Sequence, residues 1–149
     1  VIWGRRRGFS DSLSRKEFLA ETVLYTGKNW KGEWVTKPPV KVDKALLKRG
    51  QERYDIFCSV CHDKAGTGKG MVVKRGFAPP PNISDARIIN LTDGELFDVI
   101  SNGIRNMPAY GKQIDEHDRW AIVAYLRAIQ ASQGTSIKKL PRSLRKELK

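Results

Sequence analysis

The residue types that most often build metal sites and disulfides are scarce in this chain, which has only two cysteines, two histidines and two methionines among its 149 residues. Two cysteines cannot form the disulfide framework of a small secreted domain. Long apolar runs are also missing, and no stretch approaches the roughly 20 apolar residues that a membrane-spanning helix needs. With a mean hydropathy of -0.49, the chain is expected to be soluble or peripheral to a membrane.

Acidic residues are few as well, since 16 Asp and Glu stand against 28 Lys and Arg, for a net charge of +12. Residues 1–41 hold nine basic and four acidic residues, and residues 134–149 hold six and one. The middle, residues 42–133, is nearly balanced at thirteen against eleven. We therefore expect the two flanking segments to contact an acidic surface outside the domain; the alternative is a pair of solvated tails.

Charge and proline positions divide the chain into an N-terminal docking arm at residues 1–41, a domain at residues 42–133, and a basic C-terminal tail at residues 134–149. Pro38 and Pro39 disfavour helix at the first boundary. The arm contains six aromatic residues, which a disordered tail usually lacks. It is therefore expected to lie along its own domain or along a partner, with a short helix near residues 14–23.

The domain itself is predicted to be all-α. Three stretches combine helical spacing of apolar residues with a residue that can cap the first turn: residues 44–57 after Asp43, residues 93–103 after the Thr92/Glu95 capping box, and residues 116–131 after Asp115. Between residues 66 and 81 glycine and proline dominate, which predicts an ordered loop. No internal repeat and no alternating pattern long enough for a sheet is present.

Residues Cys58-Ser59-Val60-Cys61-His62 form the motif C-x-x-C-H, which is typical of covalent attachment of c-type haem. On one turn of chain the two thiols can reach the two vinyl groups at one porphyrin edge, while the next residue, His62, reaches the iron. A structural zinc site would need four Cys or His ligands, and only His117 is left to add. A thioredoxin-like dithiol lacks its βαβ context, and a disulfide between residues three apart would stabilise almost nothing. The sequence thus predicts one covalent haem on Cys58 and Cys61.

The iron of such a haem needs a sixth ligand or an open position. Met107 is the preferred candidate, because Gly103 and Pro108 around it can shape a loop that aims its sulfur at the iron. Met71 is assigned to core packing, His117 is a weak third option, and a vacant position would allow gas or peroxide binding. Ligation by His62 and Met107 favours ferrous iron and raises the reduction potential relative to two imidazoles.

The residues so far resemble the class I cytochromes c, in which an N-terminal and a C-terminal helix cross and a glycine of the first admits an aromatic of the second. Gly50 and Tyr54 lie on one helical face before Cys58, and Ile122 and Tyr125 are expected to press on them. The resemblance implies that one proline of Pro79–Pro81 supports the axial histidine ring. The choice among the three stays open, with Pro80 carried forward as the candidate.

A closer resemblance, to the monohaem cytochrome c subunit of alternative complex III, covers about residues 38–133. It rests on residues 49–58 (RGQERYDIFC), 70–81 (GMVVKRGFAPPP), 102–108 (NGIRNMP) and 118–125 (DRWAIVAY). This resemblance implies a single-electron carrier, not itself an enzyme, on the periplasmic side of the bacterial cytoplasmic membrane. Its expected partners are other subunits of a quinol-oxidising membrane complex, among them a multihaem cytochrome, and a downstream cytochrome or oxidase that accepts the electron.

Other functions stay open at this point. A soluble periplasmic shuttle between a quinol-oxidising complex and an oxidase or photosynthetic centre is the first alternative, because a basic surface steers such a protein to acidic partners. An enzyme or sensor with an open iron position is the second, and Met107 argues against it. Nucleic-acid binding, which only the charge suggests, conflicts with covalent haem outside the cytoplasm. The lipid-bearing N-terminal cysteine that is common in the subunit family is not found in this sequence.

Overall fold

The computed structural model describes residues 15–134, with side chains from residue 19 onward. Its elements are six helices and a short 3-10 turn at Val73–Arg75: α1 at Arg15–Thr26, α2 at Lys44–Phe57, α3 at Ser59–His62, α4 at Ala86–Ile89, α5 at Asp93–Asn102 and α6 at Glu116–Gln133. Strand-like pairing in these residues is limited to two isolated bridges. The predicted all-α class is confirmed. The first fourteen residues of the arm and the part of the basic tail after Gly134 lie outside the described residues.

The three main helices begin at the predicted caps. The Asp43 carboxylate accepts a hydrogen bond from the backbone of Leu46, and Asp115 caps α6 in the same way. Thr92 and Glu95 form a full capping box at α5. Because each cap satisfies backbone N–H groups that a helix leaves unpaired, these short polar residues fix where each helix begins. In the arm, α1 continues to Thr26, beyond the predicted end at residue 23.

The hydrophobic core is built around α6. Residues Trp120, Ala121, Ile122 and Val123 of this helix have no exposed surface. The Trp120 ring stacks on Phe97 of α5, with centroids 4.3 Å apart. Burial of large aromatic rings supplies much of the hydrophobic stabilisation of a domain this small. None of the helices in residues 15–134 has both the length and the apolar character that crossing a bilayer requires.

Helices α2 and α6 cross in close contact at Gly50. A β-carbon placed on Gly50 would lie 2.1 Å from the Ala121 carbonyl oxygen and 2.9 Å from Cβ of Tyr125. One turn later the Tyr54 and Tyr125 rings meet edge to face, 5.5 Å apart. The contact of Tyr125 predicted from the sequence is confirmed, but the α6 residue whose backbone abuts Gly50 is Ala121, next to the expected Ile122.

A cluster of charged side chains lies at the same helix crossing. The Asp118 side chain is 12% exposed and accepts two hydrogen bonds from Arg49, at 2.7 and 2.8 Å. Arg53, one turn further along α2, lies 3.7 Å from the same carboxylate. Such a bidentate arginine–carboxylate pair is stronger and more directional than an ordinary surface ion pair. It therefore fixes the register of α2 on α6.

The described part of the arm packs on the domain. The Trp120 indole N–H donates to the Leu24 carbonyl over 2.8 Å. After α1 the chain turns at Gly27, and Val35 donates to the Gly27 carbonyl while accepting from the backbone of Gly94. These bonds place residues 24–35 against α5 and α6. The arm is expected to lie along its own domain or along a partner. The part of it described here lies along its own domain.

The C-terminal half of α6 holds the long loop that follows α3. Gln130 donates to the Ile83 carbonyl over 2.7 Å, and Gln133 donates to the Ala65 carbonyl. Arg127 pairs with Asp93 at 2.7 Å and also donates to the Ile89 carbonyl, which fixes α4 and α5. A single helix thus positions the arm at one end and the loop at the other.

Replacing Gly50 with alanine should destabilise the protein by about 2–3 kcal/mol, because the added methyl group overlaps the Ala121 carbonyl. The unfolding midpoint in urea of the haem-loaded protein measures this change. Gly134→Ala is the matched control, since a β-carbon there would meet its nearest atoms only at 3.8 Å. Equal midpoints for the two variants would show that the helices do not cross at Gly50.

Replacing Asp118 with asparagine should cost about 2 kcal/mol, because Arg49 and Arg53 lose their shared partner. The change is measured by urea unfolding of the haem-loaded protein. Glu52→Gln serves as control: Glu52 contacts the same two arginines but is 53% exposed, so its loss should cost less than about 0.5 kcal/mol. Similar losses for both variants would contradict the special role of Asp118.

Candidate functional site

The C-x-x-C-H residues form a single helical turn directly after α2. The Cys58 backbone still donates to Tyr54 of α2, and the backbone N–H groups of Cys61 and His62 both donate to the Cys58 carbonyl. Cys58 is therefore both the C-cap of α2 and the N-cap of the next helix, α3. This geometry places the two cysteines and His62 around one turn, as the sequence predicted.

Both thiols are free and half-buried. Burial, and to a smaller extent the neighbouring Cys61, raises the pKa of the Cys58 thiol to about 12. Cys58 also packs against the hydrophobic core, next to Phe57. The site therefore offers two half-buried sulfur atoms at the edge of an apolar region, which suits permanent bonding to a flat, apolar group.

The His62 imidazole is neutral at neutral pH. Burial lowers its pKa below the usual value, although the adjacent Asp63 opposes the shift. Its Nδ1 atom is buried and has no hydrogen-bond partner. A neutral imidazole is the form that binds a metal ion, and a buried ring nitrogen without a partner has an unmet bonding capacity.

The chain after His62 is held in a tight loop by Asp63. The backbone of Asp63 has φ of 57°, in the left-handed region. Its carboxylate accepts from the backbone of Ala65, Thr67 and Lys69, and its carbonyl accepts from the Tyr54 hydroxyl over 2.7 Å. Burial raises the pKa of this carboxyl, but the hydrogen bonds outweigh it and leave the pKa below its usual value. Asp63 thus fixes the loop beside the histidine.

The three consecutive prolines differ in their surroundings. Pro80 is half-buried, whereas Pro79 and Pro81 are exposed. A β-carbon at Gly68 would lie 2.2 Å from the Pro80 carbonyl oxygen, so this proline abuts the loop that follows the histidine. Gly68 in turn donates to the His62 carbonyl. The support of the imidazole by Pro80 stays a prediction, since His62 Nδ1 has no hydrogen-bond partner here.

Met107 lies in a tight turn after α5. It pairs with Ile104 through two backbone hydrogen bonds, of 2.9 and 3.1 Å. Gly103 opens the turn with φ of 76°, and a β-carbon there would lie 2.5 Å from the Met107 carbonyl oxygen. Only glycine fits such a position without strain. Met107 is half-buried and packs on the hydrophobic core, while the following Pro108 is exposed.

Tyr110 links the Met107 turn to the cysteines and was not identified from the sequence. Its ring meets Phe57 edge to face at 6.3 Å. Burial raises the pKa of its phenol, and the proximity of Cys58 and Cys61 raises it further. The segment that carries Met107 therefore faces the attachment turn. The signal that could have found this residue is an aromatic three positions after the candidate methionine.

The assignment of Met71 to core packing is wrong. Its side chain is 59% exposed, because residues 70–77 form a surface loop tied to the attachment turn. His117 is exposed on the first turn of α6. Within residues 15–134 no group of three or more His, Cys, Asp or Glu side chains is arranged to hold a metal ion.

The residues present fit a covalently bound haem. Cys58 and Cys61 supply free thiols on one turn, His62 supplies a neutral imidazole with an unpartnered buried nitrogen, and Met107 supplies a soft thioether from the facing segment. When bound, haem supplies an iron that takes up and releases one electron. The chain orients the ligands through the Asp63 loop and excludes water with the apolar residues around Phe57 and Tyr110. The roles of the individual ligands stay predictions.

An all-helical fold with crossed α2 and α6 and this attachment turn defines a c-type cytochrome of class I. Residues 45–126 match the family described as cytochrome c oxidase, cbb3-type, subunit III, and the chain belongs to that family. Its cofactor is a covalent c-type haem with iron, and it functions in electron transfer through that haem.

Two further comparisons give proteins that are similar to this chain in sequence or in fold. An uncharacterized protein of Aquifex aeolicus (strain VF5) is 30% identical, over 60% of this chain and 78% of its own length. A subunit of the reducing HAO-like protein complex of Kuenenia stuttgartiensis has a similar fold, with a TM-score of 0.55 and 17% identity over 72% of this chain. The chain spans 54% of the length of that subunit. At this identity the similarity supports the fold alone.

Replacing Met107 with alanine should lower the reduction potential by about 0.1 V or more, because a thioether ligand favours ferrous iron. The iron of this variant should also bind cyanide or carbon monoxide, which visible spectra would detect. Met71→Ala is the matched control and should leave potential and spectra unchanged. If the Met107 variant keeps the native spectrum, Met71 or another group is the ligand.

Proposed function

We propose that this chain is the monohaem electron-transfer subunit of a membrane-associated quinol-oxidising complex of the alternative complex III type. It takes one electron from a multihaem cytochrome of that complex and passes it to a downstream cytochrome or oxidase. With two cysteines in the whole chain, it carries one haem. The observation that carries the proposal is a rigid arm loop that presents an exposed tryptophan.

This arm loop, residues 28–34, is held by its own hydrogen bonds. Lys28 and Trp34 pair across its base. The Asn29 side-chain oxygen accepts from the backbone of Lys31 and Glu33, at 2.9 and 3.0 Å, and its amide donates to the Glu33 carboxylate at 2.8 Å. The loop therefore loses little conformational entropy when a partner binds it.

The arm loop presents Trp30 with 65% of its surface exposed. Tyr25, just before the loop, is 54% exposed. A large aromatic residue held in a fixed exposed position is the usual anchor of a protein interface. Lys31 and Lys28 lie near the Trp30 and Trp34 rings, 5.3 and 4.0 Å from the centroids. The combination of aromatic and basic residues favours a lasting contact with an acidic partner subunit.

Two other observations support membership of an assembly. The family to which the chain belongs takes its name from a subunit of an oxidase. The alternative complex III subunit that residues 38–133 resemble is also part of a larger complex. In the cytochrome families that this chain resembles, haem is attached covalently outside the cytoplasmic membrane. We therefore propose the periplasmic side of the bacterial cytoplasmic membrane as its location.

A soluble periplasmic shuttle is the second candidate. It is favoured by Lys69, Lys74 and Arg75, which are exposed and form no ion pair among the residues that the structure describes. Unpaired surface cations steer a diffusing protein toward acidic partners in a salt-dependent way. A freely diffusing shuttle, however, has no need of a tryptophan that is held rigidly in an exposed position on the arm.

Replacing Trp30 with serine should release the protein from its complex while the haem stays bound. Detergent-solubilised membranes of the native host are purified through a tag on this chain, and companion subunits are identified by mass spectrometry. We expect recovery of a multihaem cytochrome with the wild type and at least about tenfold less with the variant. Point substitution is preferable to removal of residues 1–37, which would also delete the Leu24 contact to Trp120.

Ile56→Ser is the control for this experiment, since Ile56 is 53% exposed on α2 and lies outside the arm. It should leave recovery unchanged. Wild-type protein that elutes alone, without companion subunits, would support the shuttle instead. Protein that carries no covalent haem by intact mass would contradict both candidates.

A further inference from the structure

A cleft of about 780 Å³ lies between the arm and the domain. Its walls are the end of α1, the last turns of α5 and residues 109–112, and Arg119 of α6 also lines it. We call it the arm cleft. None of the predicted haem ligands lines this cleft. Its volume lies in the range of protein sites that receive a ligand.

The arm cleft contains a buried charge without a counter-ion. In the described part of the chain, three charged side chains are buried: Asp93, Asp118 and Arg119. The two carboxylates each pair with an arginine at 2.7 Å. Arg119 is only 7% exposed, yet it forms no ion pair with any residue that the structure describes. Because a buried charge in a protein is normally paired, this guanidinium lacks an anion.

The Arg119 guanidinium is held in place but keeps one nitrogen free. It lies on the Phe97 ring, 4.6 Å from the centroid, and Nη1 donates to the Ser101 hydroxyl. Nε donates to the Asp115 carbonyl over 3.4 Å. Nη2 donates to no group within residues 19–134 and is not fully buried, so a ligand in the cleft can reach it. Burial lowers the pKa of Arg119, although Glu116 and Asp115 oppose the shift, and the guanidinium stays charged at neutral pH.

Positive charge is in excess around the arm cleft. Lys28 and Lys112 line it together with Arg119, and Lys112 is exposed. The only carboxylate in the lining, Asp98, accepts a hydrogen bond from the Asn102 amide at 2.7 Å. Three cations therefore face one carboxylate that is already engaged. This balance favours an occupant that brings a negative charge.

We propose that the arm cleft receives an acidic side chain of the partner subunit that binds the arm loop, and that Arg119 pairs with its carboxylate. The cleft adjoins the arm loop, because Lys28 belongs to both. A small free anion would leave most of the volume empty, whereas a protruding partner segment fills it. A charge pair formed in such a buried place is strong and orients the two proteins. The inference rests on the proposed function, since it names the group that the partner brings to the arm.

Replacing Arg119 with methionine separates a binding role from a structural one. The urea midpoint of the haem-loaded full chain should be equal or higher, because loss of an unpaired buried cation costs little. Recovery of companion subunits from detergent-solubilised membranes of the native host should fall about tenfold or more. Arg119→Lys, which keeps the charge, should restore part of the recovery. Arg87→Met, at an exposed arginine of α4, is the matched control and should change neither measurement.

A second variant tests the same contact without altering a buried group. Lys112→Glu should lower recovery of the companion subunits several-fold, whereas Lys48→Glu, at an exposed lysine of α2, should not. In the wild-type complex, a carbodiimide should join Lys28 or Lys112 to an Asp or Glu of a companion subunit as an amide. Mass spectrometry of the digested complex identifies both residues of such a cross-link.

The proposal is overturned by normal recovery with both Arg119→Met and Lys112→Glu, or by cross-links of the two cleft lysines that reach only carboxylates of this chain. A calorimetric titration of the free chain with inorganic phosphate tests the small anion. Phosphate binding that Arg119→Met abolishes, with recovery unchanged, would assign the cleft to a free anion instead. If wild-type protein elutes without companion subunits, the proposed function fails as well. If only the cleft variants behave as wild type while Trp30→Ser loses the complex, the cleft alone is wrong.

Discussion

The close approach of α2 to α6 at Gly50 is the contact on which the rest of this structure depends. With no side chain at that position, the helices cross with the Gly50 backbone against the Ala121 carbonyl. One turn further, Tyr54 packs on Tyr125 and its hydroxyl holds the Asp63 carbonyl. The crossing therefore fixes the last turn of α2, which leads into Cys58, and the loop after His62. The attachment turn is thus held at both ends.

Helix α6 connects this crossing to the arm, to α5 and to the loop that follows His62. Its buried first half receives the arm through Trp120, its middle fixes α5 through Arg127 and Asp93, and its last turns hold the loop of residues 63–84. An electron carrier needs ligands that move little between oxidation states and a cofactor edge close to the surface. Because one rigid helix holds all of these segments, it meets both needs.

Much of the fold could be predicted from local signals. Asp43, the Thr92/Glu95 box and Asp115 cap helices because their side chains bond backbone groups three residues away, and such bonds depend on no distant contact. The assignment of Met71 to the core failed for the opposite reason. Methionine is apolar enough for either location, and its exposure follows from the path of a loop that Gln130 and Gln133 hold from α6.

The sequence by itself determined the chemistry of the attachment turn, since two thiols and an imidazole on five consecutive residues must lie around one turn of chain. It also determined the helices, whose spacing and caps act over about four residues. Only the tertiary structure decided that Tyr110 lies close to the cysteines and that residues 24–35 of the arm lie on α5 and α6. These relations join residues far apart in the chain, and their free energy comes from burial and packing that no local pattern specifies.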